Sequence, residues 1–441
     1  MVPHLITAYN GPLLEIEKKI LDNTPLIERW FRLEWQDHTP PFYCSVDLRN
    51  AGFKLAPVDA NLFPGGFNNL SPHMLPIAVQ AVMTVIEKIC PDAKNILVIP
   101  EKHTRNMFYL KNVDVLCRIL NLSGLNVRLG TLDSEITEPT EVILENGQKM
   151  LVEPVKRIGF EGRRLGLDNF DPCSILLNND LSGGIPDILQ NLYEQTILPP
   201  IHAGWTTRKK SNNFAAYDSV ARKFARSIDI DNWIINPYFD VCSEVDFSAK
   251  SGFECLQETV NKILIKTQRK YKEYGIKEKP FVVIKANAGT YGMGIMMVND
   301  AKELEDINRK TRNKMTTIKE GLEVNEVLVQ EGVHTIERIH NHVAEPVVYM
   351  IDRYVVGGFY RGHENKDVNE NLNSPGMIFT PMPHANHPML HVPNLEDEVP
   401  DLSSINRFYM YGVIARLALL ASAVELEETD PELLLSKGEE C

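Results

Sequence analysis

The chain has 441 residues, of which 44 % are apolar, 24 % charged and 8 % aromatic, and its 46 Lys plus Arg against 59 Asp plus Glu give a formal net charge of −13. This is ordinary globular composition, with length for roughly two or three domains around a sizeable core. It excludes disorder, a collagen-like repeat or a coiled coil for the whole chain, and the acidic balance argues against nucleic acid as a partner. In chain order, residues 12–36 read as two helices parted at Asn23-Thr24-Pro25, with Thr24 as N-cap and Pro25 in the first helical position. Residues 40–70 are rich in Pro, Gly and Asn and show little periodicity, so they read as irregular backbone, which a compact domain keeps for a site. An apolar helix follows from Ser71-Pro72 to about Cys90.

Strands and helices then alternate. NILVIP (95–100) is a buried-strand run, 105–121 suits a helix, LNVRLG (125–130) a strand, 132–165 a β-rich excursion, and SILLNND (174–180) a further strand. Such alternation predicts an α/β, doubly wound parallel sheet in the N-terminal region. A boundary falls in the turn-rich, basic segment near 195–212, which divides the chain into 1–200 and 201–441. Beyond it come a helix from about Ala215, strands FVVIK (281–285), GIMMV (294–298) and EVLVQEGV (326–333), a helix over 300–313, the strand pair within 346–361, and a long helix from Ser404 to Leu426. The apolar stretch Met410–Val424 carries Arg416 and reads as too short to span a bilayer.

The seven cysteines are odd in number and contain no CxxC, so neither a disulfide framework nor a zinc knuckle is indicated; packing within a reducing interior is the expectation. The first residues lack a basic start followed by an apolar run, so no signal peptide is expected and the chain reads as cytoplasmic.

Three segments carry chemistry. In FVVIKANAGTYGMGIMMV (281–298) a strand ends in Lys285, a loop carries Gly289, Gly292 and Gly294, and a second strand begins at once. Glycines let backbone N–H groups approach an anion, and the lysine supplies positive charge to phosphates. Neither a P-loop nor a Rossmann turn fits, because no helix follows. The strand EVLVQEGV ends in Gln330-Glu331-Gly332-Val333, whose backbone can face an adenine ring, with Glu331, Glu337 or Glu345 as carboxylates for ribose. The third segment, IDRYVVGGFYRGHENKDVNENLNSPG (351–376), holds Arg361, Glu370, Asn371 and Asn373. Carboxylate and amide oxygens are hard ligands for Mg²⁺, and an arginine can neutralise charge on a transferred phosphoryl group.

This order of strand, lysine, glycine loop, strand, QE strand and Asp/Arg/Glu/Asn loop resembles an ATP-grasp nucleotide-binding region of glutathione synthetase pattern. The whole chain, from about residue 10 to 425, resembles the proteobacterial, ATP-grasp-like glutamate–cysteine ligase family. The match is carried by FYCSVDLRNAGFKLAPVDANLFPGGFNNL (42–70), IHAGWTTRKKSNNF (201–214), VIKANAGTYGMGI (283–295) and NENLNSPG (369–376). The resemblance implies a pre-ATP-grasp-like region followed by an ATP-grasp-like α+β domain, with ATP and Mg²⁺ as cofactors. It implies phosphorylation of the γ-carboxylate of glutamate and displacement of phosphate by the amine of cysteine, the first step of glutathione synthesis.

By the same resemblance, Lys285 and one of Lys209 or Lys210 hold nucleotide phosphate, Gly289, Gly292 and Gly294 form the mobile cover, and Gln330, Gly332 and Val333 form the adenine hinge. Glu331 or Glu337 holds ribose, Arg361 faces the transferred phosphate, and Glu370, Asn371 and Asn373 hold metal. The later Asp…Glu-x-Asn metal motif of glutathione synthetase has no counterpart after Gly376. For the amino acids, Arg49 with Asp59 supplies both signs, with Asn61 and Asn68 beside them and Arg105 as a second cation. Two readings compete with this one: another ATP-grasp carboxylate–amine ligase, and a nucleotide-binding regulator without turnover. Small-molecule substrates are expected, with no nucleic acid or membrane partner; a homo-oligomer is left open. His384, His387 and His391 are interrupted by prolines and read as a loop, and KTQRKYKEYGIKEK (266–279) as a solvated helix face.

Overall fold

A computed structural model of the chain describes residues 14–102, 106–192, 194–289, 294–316, 324–339, 341–382 and 407–431. The expectations for Arg105, Gly292, the His384–His391 segment and the C-terminal tail lie outside the described residues. The chain opens with helices α1 (Glu15–Asp22) and α2 (Thr24–Asp37). Asn23, not Thr24, is the N-cap of α2; the Thr24 hydroxyl instead donates back to the Leu21 carbonyl at 2.8 Å.

The segment expected to be irregular is a β-hairpin, β1 (Tyr43–Asn50) and β2 (Leu55–Asn61), joined by Gly52 at φ +83°. Its pattern does not alternate because both faces of β1 are covered: Cys44, Val46 and Leu48 enter the main apolar core, while Asp47 and Arg49 are ion-paired on the other face. There follow α3 (Leu75–Ile89), β3 (Asn95–Pro100), α4 (Met107–Leu122), β4 (Asn126–Thr131), β5 (Thr140–Ile143), β6 (Lys149–Pro154), β7 (Lys156–Ile158), β8 (Arg164–Gly166), β9 (Ser174–Asn178) and β10 (Thr196–Leu198). After these come α5 (Lys210–Ser227), β11 (Phe239–Ser243), α6 (Phe253–Glu273), β12 (Val282–Ala286), β13 (Ile295–Val298), α7 (Arg309–Thr316) and β14 (Glu326–Glu331). The chain then forms β15 (Arg338–Ile339), β16 (His342–Ile351), β17 (Tyr354–His363), β18 (Met377–Pro381) and α8 (Phe408–Thr429).

Three larger sheets position the site. The first runs β18-β17-β16-β1-β2 and is antiparallel, so the early hairpin is zipped onto the late β16–β17 hairpin. The second runs β10-β9-β3-β4-β6-β5, parallel except for edge strand β5. Its strand order reverses between β3 and β9. The third, β11-β14-β12-β13, is antiparallel and packs on α6.

Helix α8 is the hub of the main core and packs against α5 and the hairpin. Its 22 residues are long and apolar enough to cross a membrane, contrary to the expectation from residues 410–424, but 89 % of its apolar window is buried inside the fold. Arg416 is accommodated there by Glu28 of α2 at 2.7 and 3.0 Å and by the Phe31 ring at 4.1 Å. A second departure concerns cysteine. Cys90, after α3, is disulfide-bonded to Cys173, before β9, across 83 residues, a pairing that short-range spacing cannot reveal. Among the described residues Cys44, Cys117, Cys242 and Cys255 are free thiols.

Candidate active site

The open face of the first sheet carries side chains in rows set by register. One row joins Arg49, Glu345 and Arg361; the next holds Asp59, Asp47, Val347 and Phe359; the third holds Asn61, Ser45 and Tyr349. Rows two residues apart stand about 7 Å apart along a strand, so charge gives way to amide and aromatic groups over about 13 Å. Two cavities lie over this face. Both are lined by Asp47, Asp59, Arg361 and Asn373, which form their seam.

The first cavity lies between the charged row and the third sheet. Alternate residues of β12 and β13 (Val283 and Lys285, Ile295 and Met297) point into it, with Phe281 and Val333, giving an apolar slot with a cationic end. The cations are Arg49, Lys210, Lys285 and Arg361. Lys285 Nζ donates to Gln330 Oε1 at 2.6 Å and to the Val58 carbonyl at 2.5 Å. Burial pushes its pKa down to about 8, with Asp59 opposing and Lys210 reinforcing the fall. Lys210, in the first turn of α5, pairs with Asp59 at 2.8 Å. Burial raises the Asp59 pKa, but Lys210 and Lys285 outweigh it and hold the carboxyl below its usual value.

Arg361 joins the two cavities. Its Nη1 donates to Asp47 at 2.7 Å and Glu345 at 2.9 Å. Burial opposes its charge, but those two carboxylates prevail and raise its pKa. Burial and Glu345 push Asp47 up, against the pull of Arg361. The Nε of Arg361 and the Nε2 of Gln330 are buried donors without a hydrogen-bond partner among the described residues, and both residues line the first cavity. Buried donors are rarely left unpaired, so each is a place for a ligand acceptor.

The second cavity continues over Ser45, Asn61, Tyr349 and Phe359 and is closed by groups from the second sheet. Glu101, Asn178 and Asp180 stand at the carboxyl ends of β3 and β9, where strand order reverses. Asn178 is fixed by Tyr43, Tyr109 and the Pro64 carbonyl. The Nδ2 of Asn69 is a further buried donor without a partner among the described residues. Gly66, at φ +100°, brings backbone against Tyr349: a Cβ there would lie 2.7 Å from the Tyr349 hydroxyl.

The expected site residues divide accordingly. Arg49, Asp59, Lys210, Lys285, Gly289, Gln330, Val333, Arg361, Asn371 and Asn373 line the first cavity, and Asn61 lines the second. Gly294, at φ +61°, supplies the carbonyl that accepts from Ala286 N–H at 2.9 Å. Gly332 shapes the slot from behind: a Cβ there would sit 2.2 Å from the Phe281 ring. Glu331 also touches the cavity, yet its carboxylate accepts from Lys54 at 2.9 Å, the Trp233 indole at 2.9 Å and the Tyr238 amide at 2.9 Å. That buried set occupies the group assigned to ribose.

Glu337 accepts from Asn50 and Tyr411 and lines neither cavity. Lys209 is half-exposed and pairs with Glu326. Asn68 lines neither cavity. Glu370 is engaged by Lys366 and the Asp367 amide and also lines neither, while its carbonyl accepts from Arg49 at 2.5 Å. No group of three or more His, Cys, Asp or Glu side chains able to hold a metal occurs among the described residues. The hard oxygen donors at the seam are Asp47, Asp59 and the amide of Asn373, with Asn371 in the first cavity and Asn61 in the second, a set of Mg²⁺ type. Asp47, absent from the expected site, was findable: it alternates with Ser45 and Arg49 on one face of β1.

The glutamate-cysteine ligase family model matches residues 17–426. A crystal structure from Methylobacillus flagellatus KT, designated "Putative gamma-glutamylcysteine synthetase", is 58 % identical and superposes with a TM-score of 0.83, covering 98 % of this chain and 100 % of that one. A D-alanyl-alanine synthetase A from Vibrio cholerae is 12 % identical, with a TM-score of 0.29 over 58 % of this chain and 66 % of that one. A glutathione synthetase-like effector from Globodera pallida is 10 % identical, with a TM-score of 0.41 over 85 % and 89 %. No curated protein matches the chain.

Proposed function

The chain belongs to the glutamate–cysteine ligase family, and from that premise we propose how its two joined cavities divide an ATP-dependent ligation. The first cavity takes ATP. Its slot of Phe281, Val283, Ile295, Met297 and Val333 suits the adenine ring, and Gln330 Nε2 offers a donor to the ring edge. Lys285 and Lys210 meet the phosphates, whose negative charge favours the protonated form of a lysine that burial alone disfavours. The second cavity takes glutamate and cysteine, with the γ-carboxylate of glutamate at the seam and the cysteine amine beside it.

The γ-carboxylate attacks the terminal phosphorus of ATP, releasing ADP and giving an acyl phosphate; the neutral amine then attacks the acyl carbon, expelling inorganic phosphate and losing a proton to form the amide. Arg361 stabilises charge in both steps because it alone among the cations lining the first cavity also lines the second, with Nε unpaired. That placement is the observation that carries the reading. Asp47 and Asp59, with Asn371 and Asn373, would hold Mg²⁺, which when bound supplies positive charge beside the phosphates. The aromatic wall around Tyr349 and Phe359 keeps water from the acyl phosphate.

The reversal of strand order between β3 and β9 supports a doubly wound, pre-ATP-grasp-like first region, with its ligand cleft at that switch point. We divide the chain near residue 200, the β1–β2 hairpin crossing to complete the ATP-grasp-like region, and place the enzyme in the cytoplasm, where ATP is supplied. The test is ADP release by the purified protein with ATP, Mg²⁺, glutamate and cysteine, with the product identified as γ-glutamylcysteine. Hydroxylamine should trap an acyl phosphate when cysteine is omitted. ADP release with another carboxylate–amine pair but not this one would overturn the substrate assignment; ATP binding with no turnover on any pair would overturn the reaction.

A further inference from the structure

Two thiols outside both cavities meet in the nucleotide-binding lobe. Cys242 is buried on β11, Cys255 is exposed in the first turn of α6, and their sulfurs lie 3.2 Å apart, with Thr259 Oγ1 also 3.2 Å from Cys242 Sγ. A disulfide is about 2.05 Å long, so closure brings the two sulfurs about 1 Å nearer than they stand. Accessibility sets an order of events. Cys255 meets solvent, whereas Cys242 is fully buried and burial pushes its thiol up to about 11.

The pair is wired to the nucleotide cavity. β11 is hydrogen-bonded to β14, with Cys242 opposite Val327 and Phe239 opposite Gln330. The Phe239 ring packs against Phe214 at 5.8 Å, and Lys285 Nζ lies 5.8 Å from the centre of the Phe214 ring. The Asp240–Lys262 ion pair at 2.5 Å also joins β11 to α6 beside the two thiols. Phe239, three residues before Cys242 on β11, therefore links the strand that carries the thiol to the ring beneath Lys285.

We propose that Cys242 and Cys255 are a reversible dithiol–disulfide site that exchanges with small disulfides, the oxidised form of the thiol amino acid being the natural class, and that its closure weakens nucleotide binding. In the first step the Cys255 thiolate attacks one sulfur of RS–SR, forming a Cys255–S–S–R mixed disulfide and releasing RS⁻, which takes up a proton. In the second, the Cys242 sulfur attacks the Cys255 sulfur of the mixed disulfide, and the departing second RS⁻ takes up the proton that Cys242 gives up. Two protein thiols are oxidised to one disulfide and one RS–SR is reduced to two RSH.

The test treats the full-length protein with excess cystine without denaturant, then reads disulfide peptides by mass spectrometry and the ATP dissociation constant by calorimetry, which needs no turnover. Wild type should yield a 242–255 cross-linked peptide with no retained adduct, and the constant should rise at least about fivefold, the lower end of coupling between linked sites. A dithiol reductant that leaves Cys90–Cys173 intact by peptide mapping should reverse the change. Cys242→Ser should retain one cysteine adduct on Cys255, and Cys255→Ser should leave Cys242 unmodified. An adduct that persists on Cys255 in wild type, or closure with an unchanged ATP constant, would overturn the proposal.

Discussion

Replacing Arg361 by lysine separates its charge from its geometry. Nη1 serves both carboxylates, at 2.7 Å to Asp47 and 2.9 Å to Glu345, and Nη2 adds a longer bond to Asp47 at 3.4 Å, while Nε is left over at the seam. A lysine ammonium can take over the first duty, so the buried carboxylates keep a partner. It has no second arm for the developing phosphate charge. One charge-assisted hydrogen bond is worth about 1.5–3 kcal/mol, and at about 1.36 kcal/mol per decade the loss of turnover is ~10- to 150-fold. Arg361→Ala, by contrast, leaves Asp47 and Glu345 buried against each other and should cost about 3–5 kcal/mol of stability as well. Initial rates of ADP release at saturating ATP and glutamate, with thermal unfolding measured in parallel, distinguish the two effects. Arg361→Lys should keep its melting temperature close to wild type and lose kcat. A normal kcat with the whole loss in KM for ATP would refute the reasoning, because it would put Arg361 in ground-state binding.

Lys285→Met should weaken ATP binding by an order of magnitude or more and remove one pH step. Burial holds the folded Lys285 near 8, and phosphates favour its protonated form, so its contribution is full below pH 8 and is lost as pH rises through that value. Calorimetry from pH 6.5 to 9.5 should show that step in wild type and not in the variant. Gly332→Ala drives a Cβ to within 2.2 Å of the Phe281 ring; the slot must deform at about 1–3 kcal/mol, raising the ATP dissociation constant, and Phe281→Leu in the same chain should restore part of it. Asp59→Asn should shift the Mg²⁺ concentration for half-maximal ADP release upward by at least tenfold, whereas Glu370→Gln, outside both cavities, should leave it unchanged. Equal effects of the two would refute the seam as the metal position.

Which parts of the site were readable from the sequence follows from how far apart its partners lie. Strands β12 and β13 were legible because lysine, glycines and apolar runs sit within eighteen residues and need no distant partner to declare a strand–loop–strand unit. The β1–β2 hairpin was not, because period-2 alternation vanishes when one face meets α8 and the other holds ion pairs. The carboxylate of Glu331 looked available for ribose only because Lys54, its buried partner at 2.9 Å, is 277 residues away. Arg416 looked like a fault in an apolar helix for the same reason; Glu28, which neutralises it, is 388 residues earlier. In each case residue type announced a charge, and only the fold said whether that charge was used internally or offered to a ligand.

That distinction also explains how a chain with a net charge of −13 can hold a polyanion. Three of the four cations in the first cavity are already matched: Lys210 by Asp59 at 2.8 Å, Arg49 by Glu345 at 2.8 Å, and Arg361 by Asp47 and Glu345. Lys285 rests on two neutral oxygens, and burial lowers its pKa to about 8. Most of the positive charge in the cavity is therefore already compensated by the hairpin and β16 carboxylates. On the proposed reading, phosphates are bound by a change of partners, in which Lys285 is held protonated and Lys210 and Arg361 turn from the hairpin carboxylates toward the ligand. That exchange is favourable only when Asp47 and Asp59 find other positive charge, since each is costly to leave bare in a buried site. On that reading nucleotide, metal and the β1–β2 hairpin are tied into one electrostatic unit, because the hairpin supplies Asp47, Arg49 and Asp59 to the same cavity as Lys285.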